Sequence, residues 1–343
     1  MRANPMALLE VEHLDVRFPL RRGEIRAVRD LSFSLQRGER LGIVGESGAG
    51  KSVLAFSLLK LLSRPGRIVA GKVRFEGREL TSLSERQFRR LRGNRLAMIF
   101  QDPLTTLNPV LTIGQQMIES LKAHRRLSTR RARIVAIDKL RQVQVSSPER
   151  RLEQYPHQLS GGLCQRVVIA IALLLEPDII IADEPTTALD VTIQAEIITL
   201  LKRLCDEHDV GLIVISHDLG VIGQLTQRTL VMYAGRIVEQ GPTREIINDA
   251  QHPYTQGLIN ALPQMTLPRQ RLHQIPGSMP TLSEVPSGCA FHPRCAYRIT
   301  PEGVPRRDCI ENVPEPVRSG ECQVACHWVA ELIAREPAEE RAT

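Results

Sequence analysis

Gly45-Glu46-Ser47-Gly48-Ala49-Gly50-Lys51-Ser52 constrains this chain more than any other stretch. It follows an apolar run, Leu41-Gly42-Ile43-Val44, that reads as a short buried strand. After it, Val53-Leu54-Ala55-Phe56-Ser57-Leu58-Leu59 is apolar and long enough to open a helix. Strand, glycine turn, Lys-Ser and helix, in that order, make G-x-x-x-x-G-K-[ST] a phosphate-binding loop rather than a chance turn. The glycines let successive N–H groups point inward at phosphate oxygens. The helix starting at Lys51 adds the positive end of its dipole. Lys51 is expected to reach the β- and γ-phosphates, and the Ser52 hydroxyl to ligate Mg²⁺. The expected ligand is a nucleoside triphosphate.

A second acidic element lies a domain's length downstream. Ile179-Ile180-Ile181-Ala182 is an apolar strand ending in Asp183-Glu184. After a phosphate loop this is the Walker B pattern: Asp183 holds Mg²⁺ through water, and Glu184 orients and deprotonates an attacking water. Between the two, Leu159-Ser160-Gly161-Gly162 precedes an apolar helix read over Val167 to Leu175. Ser160 is a natural N-cap there, and the paired glycines leave that helix end open to an anion. His217 ends the buried strand Val210 to Ser216, where ligands bind in open α/β sheets. Phe18 closes the alternating stretch Leu8 to Phe18, either as a base-stacking ring or as an ordinary strand-end core residue.

Further alternating or apolar runs place strands at Leu31–Leu35, Gly71–Phe75 and Leu96–Phe100, and a hairpin around Ala234-Gly235. From Thr112 to about Arg151 the pattern is helical, interrupted at Ser146-Ser147-Pro148, and reads as an inserted helical subdomain. The fold class expected is α/β, a mainly parallel sheet with an N-terminal antiparallel portion. Residues 1–250 form the nucleotide-binding domain, with the helical part at about 104–177, and residues 251–343 a C-terminal extension.

Composition excludes some alternatives. No apolar run approaches the ~18–20 residues of a membrane span, and Met1-Arg2-Ala3-Asn4-Pro5-Met6 lacks the apolar core of a signal peptide. A cytosolic chain is expected. The net charge is +7, densest from Lys122 to Arg141. Contact with nucleic acid or anionic headgroups is one reading of such a stretch; with aromatics at only 3%, base stacking has few residues to use, and a solvated helix face is the favoured one. Of seven cysteines, Cys164 and Cys205 are scattered, while Cys289, Cys295, Cys309, Cys322 and Cys326 crowd the last 55 residues. In a reducing compartment that cluster reads as metal-binding rather than disulfide-forming.

Taken together, the phosphate loop, Gln101, Leu159-Ser160-Gly161-Gly162, Asp183-Glu184, Ala188-Leu189-Asp190 and His217 resemble the ATP-binding subunits of ABC transporters in order and spacing. The Leu-Ser-Gly-Gly signature discriminates, since other P-loop ATPases lack it. The resemblance covers roughly residues 8–245. It implies a head-to-tail dimer with ATP between one subunit's phosphate loop and its partner's signature. Ser160, Gly161 and Gly162 would contact the γ-phosphate held by the other subunit. His217 would be the switch histidine, Gln101 would sense the γ-phosphate and Mg²⁺ and couple to membrane subunits, and Phe18 would stack on adenine.

Other stretches resemble the oligopeptide/dipeptide importer ATPases: Ile99-Phe100-Gln101-Asp102-Pro103, Tyr155-Pro156-His157-Gln158, Asp190-Val191-Thr192-Ile193-Gln194, His252-Pro253-Tyr254-Thr255 and Gly288-Cys289-Ala290-Phe291-His292-Pro293-Arg294-Cys295. In that subfamily four tail cysteines hold a 4Fe-4S cluster. The matching positions here are Cys289, Cys295, Cys309 and Cys326, with Cys322 an alternative fourth ligand. A Cys₄ zinc site is the other reading of the same residues. Two departures stand out. Leu163 and Cys164 follow the signature where the subfamily has Met or Gln and then a polar or basic residue, and Arg141 to Pro148 is more polar than usual.

The resemblance implies the ATPase of a bacterial peptide importer, peripheral on the cytoplasmic side of the inner membrane. Its partners would be a second ATPase, two permeases and an extracytoplasmic binding protein, with no nucleic acid. The same engine carrying nickel, glutathione or another small solute is the alternative; a soluble ABC ATPase outside transport is the third reading.

Overall fold

The computed structural model of the protein describes residues 7–21, 23–187, 189–262, 274–300 and 302–335. In chain order its strands are β1 (Leu9–Leu20), β2 (Gly23–Leu35), β3 (Arg40–Val44), β4 (Arg67–Phe75), β5 (Arg78–Glu79) and β6 (Leu96–Ile99). They continue with β7 (Ile179–Asp183), β8 (Gly211–Ser216), β9 (Arg228–Tyr233), β10 (Arg236–Pro242), β11 (Val317–Ser319) and β12 (Cys322–Val324). The chain packs into two units, one of residues up to Glu10, Ser34–Arg40 and Val73–Ile215, the other of Val11–Phe33, Leu41–Lys72 and Ser216 onward.

In the first unit the apolar runs become three parallel strands in the order β6-β7-β8. Leu96 pairs with Ile179, and Ile179 with Gly211. Every residue of β7 and β8 is buried, as parallel strands covered on both faces must be. Ion pairs fasten the entrance to this sheet. Asp178, just before β7, accepts from Arg37 at 3.1 Å and pairs with Arg95, while Glu76 takes both arginines at 2.8 and 2.9 Å.

The helical stretch divides into Ile113–His124, Thr129–Gln142 and Pro148–Arg151. Thr112 and Gln115 close a capping box on the first, and Ser128 caps the second. Ala132, Ala136 and Leu140 bury one face of Thr129–Gln142, leaving Arg130 and Arg131 exposed on the other. The helix expected from Val167 starts earlier, spanning Gly161–Leu173, because Ser160 caps it directly. Among the described residues no helix is long and apolar enough to cross a membrane.

In the second unit β2, β1 and most of β4 lie side by side. β1 does not alternate cleanly. Leu9 and Val11 are buried, then Leu14 and Val16, so the phase slips by one residue at Glu12-His13. The cause is His13 at φ 48, a bulge position. It is fixed by His13 N donating to Ser32 Oγ at 2.8 Å and by the His13 Nδ1–Asp30 contact at 2.7 Å.

Beside this, β3 pairs in parallel with β9, and β9 turns back into antiparallel β10. Ala234 and Gly235, at φ 46 and 82, supply the two positive φ angles that a two-residue hairpin turn requires. β12 then pairs antiparallel with β10, Glu239 opposite Val324, and β11 with β12. The C-terminal extension thus continues a sheet begun by β3.

Candidate nucleotide site and cysteine-lined cavity

The phosphate loop joins β3 to the helix Lys51–Leu58 within the second unit. The helices beginning after Thr112, Ser128, Ser160, Asp190 and Asp218 all have a side-chain cap; this one starts on Gly50, at φ 98, without one. Its first-turn N–H groups are thus not spent on a cap, which suits an anion. The loop is clamped from behind. Gly235 N donates to Ala49 O at 2.9 Å, and Arg29 N to Gly235 O at 2.8 Å. Lys51 is buried and its Nζ donates to the carbonyls of Gly45 (2.7 Å) and Glu46 (3.0 Å), which holds the ammonium over the loop.

Phe18 is half-buried near the end of β1, against the backbone of Gly66: a Cβ at Gly66 would lie 2.4 Å from its ring. His217, exposed after β8, belongs to this unit as well.

The acidic pair and the signature belong to the first unit. Asp183 is buried at the end of β7. Glu184 follows at φ 49, a left-handed conformation that costs a non-glycine residue on the order of 1–3 kcal/mol. That backbone is held by Glu184 N donating to Ile215 O at 2.8 Å. Its carboxylate is held too, with Oε2 accepting from Gln101 Nε2 and from Thr187 Oγ1, each at 2.9 Å. A strained backbone, with two donors fixing the direction of the carboxylate it carries, suits a group that must aim at a water.

Ser160 is exposed at the start of its helix and caps it, Oγ accepting from Leu163 N at 3.4 Å, with Gly161 and Gly162 forming the first turn. Gln165 on the same helix donates to Pro185 O at 2.6 Å, tying the signature helix to the turn after Glu184. The departure at Cys164 has a simple account. The residue is fully buried and its Sγ lies 3.5 Å from Pro156 O, so it fills core rather than facing a ligand. Ala188 lies outside the described residues. Asp190 caps the helix Val191–His208 by accepting from Ile193 N at 3.0 Å.

In the extension, Cys289, Cys295, Cys309 and Cys326 line one small cavity together with His252, Phe291, Tyr297 and Trp328. Cys322 does not join them: on β12 its Sγ packs against Gly241 of β10. Burial pushes the Cys289 thiol up to about 12 and Cys309 to about 11, and neighbouring thiols add to both. Four such thiols can ionise together only beside a compensating cation. The four thiols share a cavity and are of the donor type a thiolate-bound metal group uses, but among the described residues no group of three or more His, Cys, Asp or Glu is placed so that it could hold a metal ion.

Two residues escaped the sequence reading. Tyr254 Oη accepts from Glu46 N at 2.7 Å, and Arg294 forms a two-pronged ion pair with the Glu46 carboxylate. Both lie in stretches, His252-Pro253-Tyr254-Thr255 and His292-Pro293-Arg294-Cys295, whose resemblance to importer ATPases was legible without a role.

Known proteins resemble this chain in both its parts. The family described as ABC transporter matches residues 28–187, and the oligopeptide/dipeptide transporter C-terminal region matches residues 238–300. A putative peptide import ATP-binding protein of Brucella abortus is 48% identical over 312 residues, covering 91% of each chain. The dipeptide transport ATP-binding protein DppD of Escherichia coli is 48% identical over 294 residues, 85% of this chain and 89% of that one. The dimeric ATP-binding cassette MJ0796, in a post-hydrolysis state with ADP and Pi, superposes with a TM-score of 0.62 at 27% identity, covering 69% of this chain and 99% of that one. The chain belongs to the ATP-binding subunits of ABC transporters, in their oligopeptide/dipeptide branch.

Proposed function

We propose that this protein is the ATP-hydrolysing subunit of a bacterial peptide importer, bound to permeases at the cytoplasmic face of the inner membrane. The observation that carries the enzymatic part is the Glu184 carboxylate, held by Gln101 and Thr187 on a strained backbone at the end of β7. In this reading Glu184 aims a water at the γ-phosphate and takes its proton, and His217 supports the same phosphate. Gly45 to Ser52 cradle the phosphates with backbone N–H groups, Lys51 supplies charge, and Phe18 stacks on adenine. Mg²⁺ would be held by Ser52, Gln101 and Asp183, the last through water, and neutralise charge on the phosphates. Ser160, Gly161 and Gly162 face the nucleotide of a second, similar ATPase. Residues 1–250 are the nucleotide-binding domain, with about 104–177 facing the permeases, and 251–343 the extension.

The peptide cargo rests on the oligopeptide/dipeptide C-terminal region and on the relatives' names. Uptake of a labelled dipeptide, a longer peptide and nickel ion, in cells lacking the gene and complemented with wild type or Lys51→Ala, tests it. Peptide uptake restored by wild type alone is expected. Restoration of nickel uptake alone would overturn the cargo and leave the engine standing.

The four cavity-lining cysteines, Cys289, Cys295, Cys309 and Cys326, are the proposed holders of a 4Fe-4S cluster. Bound there, the group would staple four segments of an extension otherwise short of regular structure. Protein purified without oxygen is expected to be brown, and a Cys295→Ser variant to lose its iron while Cys322→Ser keeps it. Colourless wild-type protein with stoichiometric zinc would replace the cluster by a zinc site.

A further inference from the structure

Glu46 is an odd residue for the place it occupies. It is the second residue of a loop built to receive a polyphosphate, and a free carboxylate there would repel the ligand. Its charge is met from the far end of the chain. Arg294 Nη1 donates to Glu46 Oε2 at 2.7 Å and Nη2 to Oε1 at 3.1 Å, the parallel fork by which guanidinium best matches carboxylate.

The arginine is not a loose surface partner. Its side chain is 6% exposed, and Nε donates to Pro276 O at 2.9 Å. Nη1 also reaches the Tyr233 hydroxyl at 3.4 Å. The guanidinium stands 5.9 Å from the ring centres of both Tyr233 and Phe291. A second clamp acts on the loop backbone, where Glu46 N–H donates to the hydroxyl of Tyr254, whose ring is fully buried edge-on to Tyr233 at 4.7 Å.

We propose that Arg294 and Tyr254 are positioning residues for the phosphate loop: they neutralise and aim Glu46, so that the C-terminal extension sets the affinity for nucleotide. Arg294 lies between two residues that line the cysteine cavity, three after Phe291 and one before Cys295. The positioning role rests on the reading of Gly45 to Ser52 as the nucleotide loop.

The test uses the full-length chain and Mg-ATP, with Mg-ADP as the probe for calorimetry. Arg294→Gln leaves Glu46 charged and unpaired. Its KM for ATP and Kd for Mg-ADP are expected to rise about tenfold, equivalent to ~1.4 kcal/mol, with kcat changed less than about twofold. Adding Glu46→Gln to Arg294→Gln removes the unpaired charge and is expected to bring both constants back to within about threefold of wild type. A merely structural role for Arg294 would leave the double variant as impaired as the single one, and that result overturns the proposal. Unchanged KM in Arg294→Gln overturns it as well. If Arg294→Gln does not fold, Tyr254→Phe, which keeps the ring and removes the acceptor, carries the test: a rise in Kd is expected and no change refutes. Wild-type protein that binds no Mg-ADP would instead refute the nucleotide loop itself.

Discussion

A Glu184→Gln variant is expected to bind Mg-ATP as tightly as wild type and to hydrolyse it on the order of 10²–10⁴ times more slowly, the usual worth of a positioned general base. The substitution is close to isosteric. A glutamine can still present an oxygen to Gln101 Nε2 and Thr187 Oγ1, which lie 2.9 Å from the native carboxylate, so the side chain keeps its direction and loses only the capacity to take a proton. The backbone at φ 49 and its bond to Ile215 O are untouched. Single-turnover hydrolysis of labelled ATP, beside a Kd measured by calorimetry, separates chemistry from binding. Turnover at the wild-type rate would remove Glu184 from the reaction. Gln101→Ala, which loosens the carboxylate without removing it, should fall between the two.

The second large effect is expected in the phosphate loop, from an added methyl group. At Gly50 (φ 98) a Cβ would sit 2.4 Å from the carbonyl oxygen of Ala27 and 3.5 Å from Gly235 Cα, both backbone atoms that cannot swing aside. The distance to Gly235 is ordinary contact, but that to Ala27 is a clash, so Gly50→Ala must displace the helix start or β2 at Ala27, at a cost of about 3 kcal/mol or more in stability. Nucleotide binding should go with it, because the first-turn N–H groups move. Gly48, two residues earlier, makes the control: its φ is 86, yet a Cβ there meets nothing within 4 Å. Gly48→Ala should lose only the conformational share, about 1 kcal/mol. Denaturant midpoints for the two variants and their Mg-ADP affinities decide the matter. Equal losses would mean that the loop tolerates the clash at Ala27.

What was legible in the residues was local. The buried parallel strands announce themselves as apolar runs, and Ser160, Thr112 and Asp190 each begin a helix at the position their side chains favour. The Ala234-Gly235 turn is legible for the same reason. The slip in β1 was not, because His13 is an ordinary strand residue and its φ of 48 is set by Ser32 and Asp30 on the neighbouring strand. Periodicity places the start of the helix after Ser160 six residues late, since it begins where the apolar residues do and not at the cap. At the candidate site, Gln101 and Glu184 are 83 positions apart and Glu46 and Arg294 are 248 apart. No spacing rule links such pairs. The first could be placed by resemblance to a motif set, whereas Arg294 had no motif role to inherit and only packing reveals its partner. Likewise cysteine counting leaves Cys322 and Cys326 as rivals, and only the packing separates them: Cys322 sits on β12 against Gly241 of β10, whereas Cys326, beyond the end of that strand, lines the cavity.

The pairing of β12 with β10 also bears on how this chain keeps to itself. Without the residues after 316, β10 would present its unpaired N–H and C=O groups along Glu239 and Gln240, a ready template for strands of other molecules. With them, the exposed edge passes to β11, three residues long and carrying Arg318 at its centre, too short and too charged to recruit a neighbour. The tail thus leaves the sheet ending on a short, charged strand instead of on the longer β10.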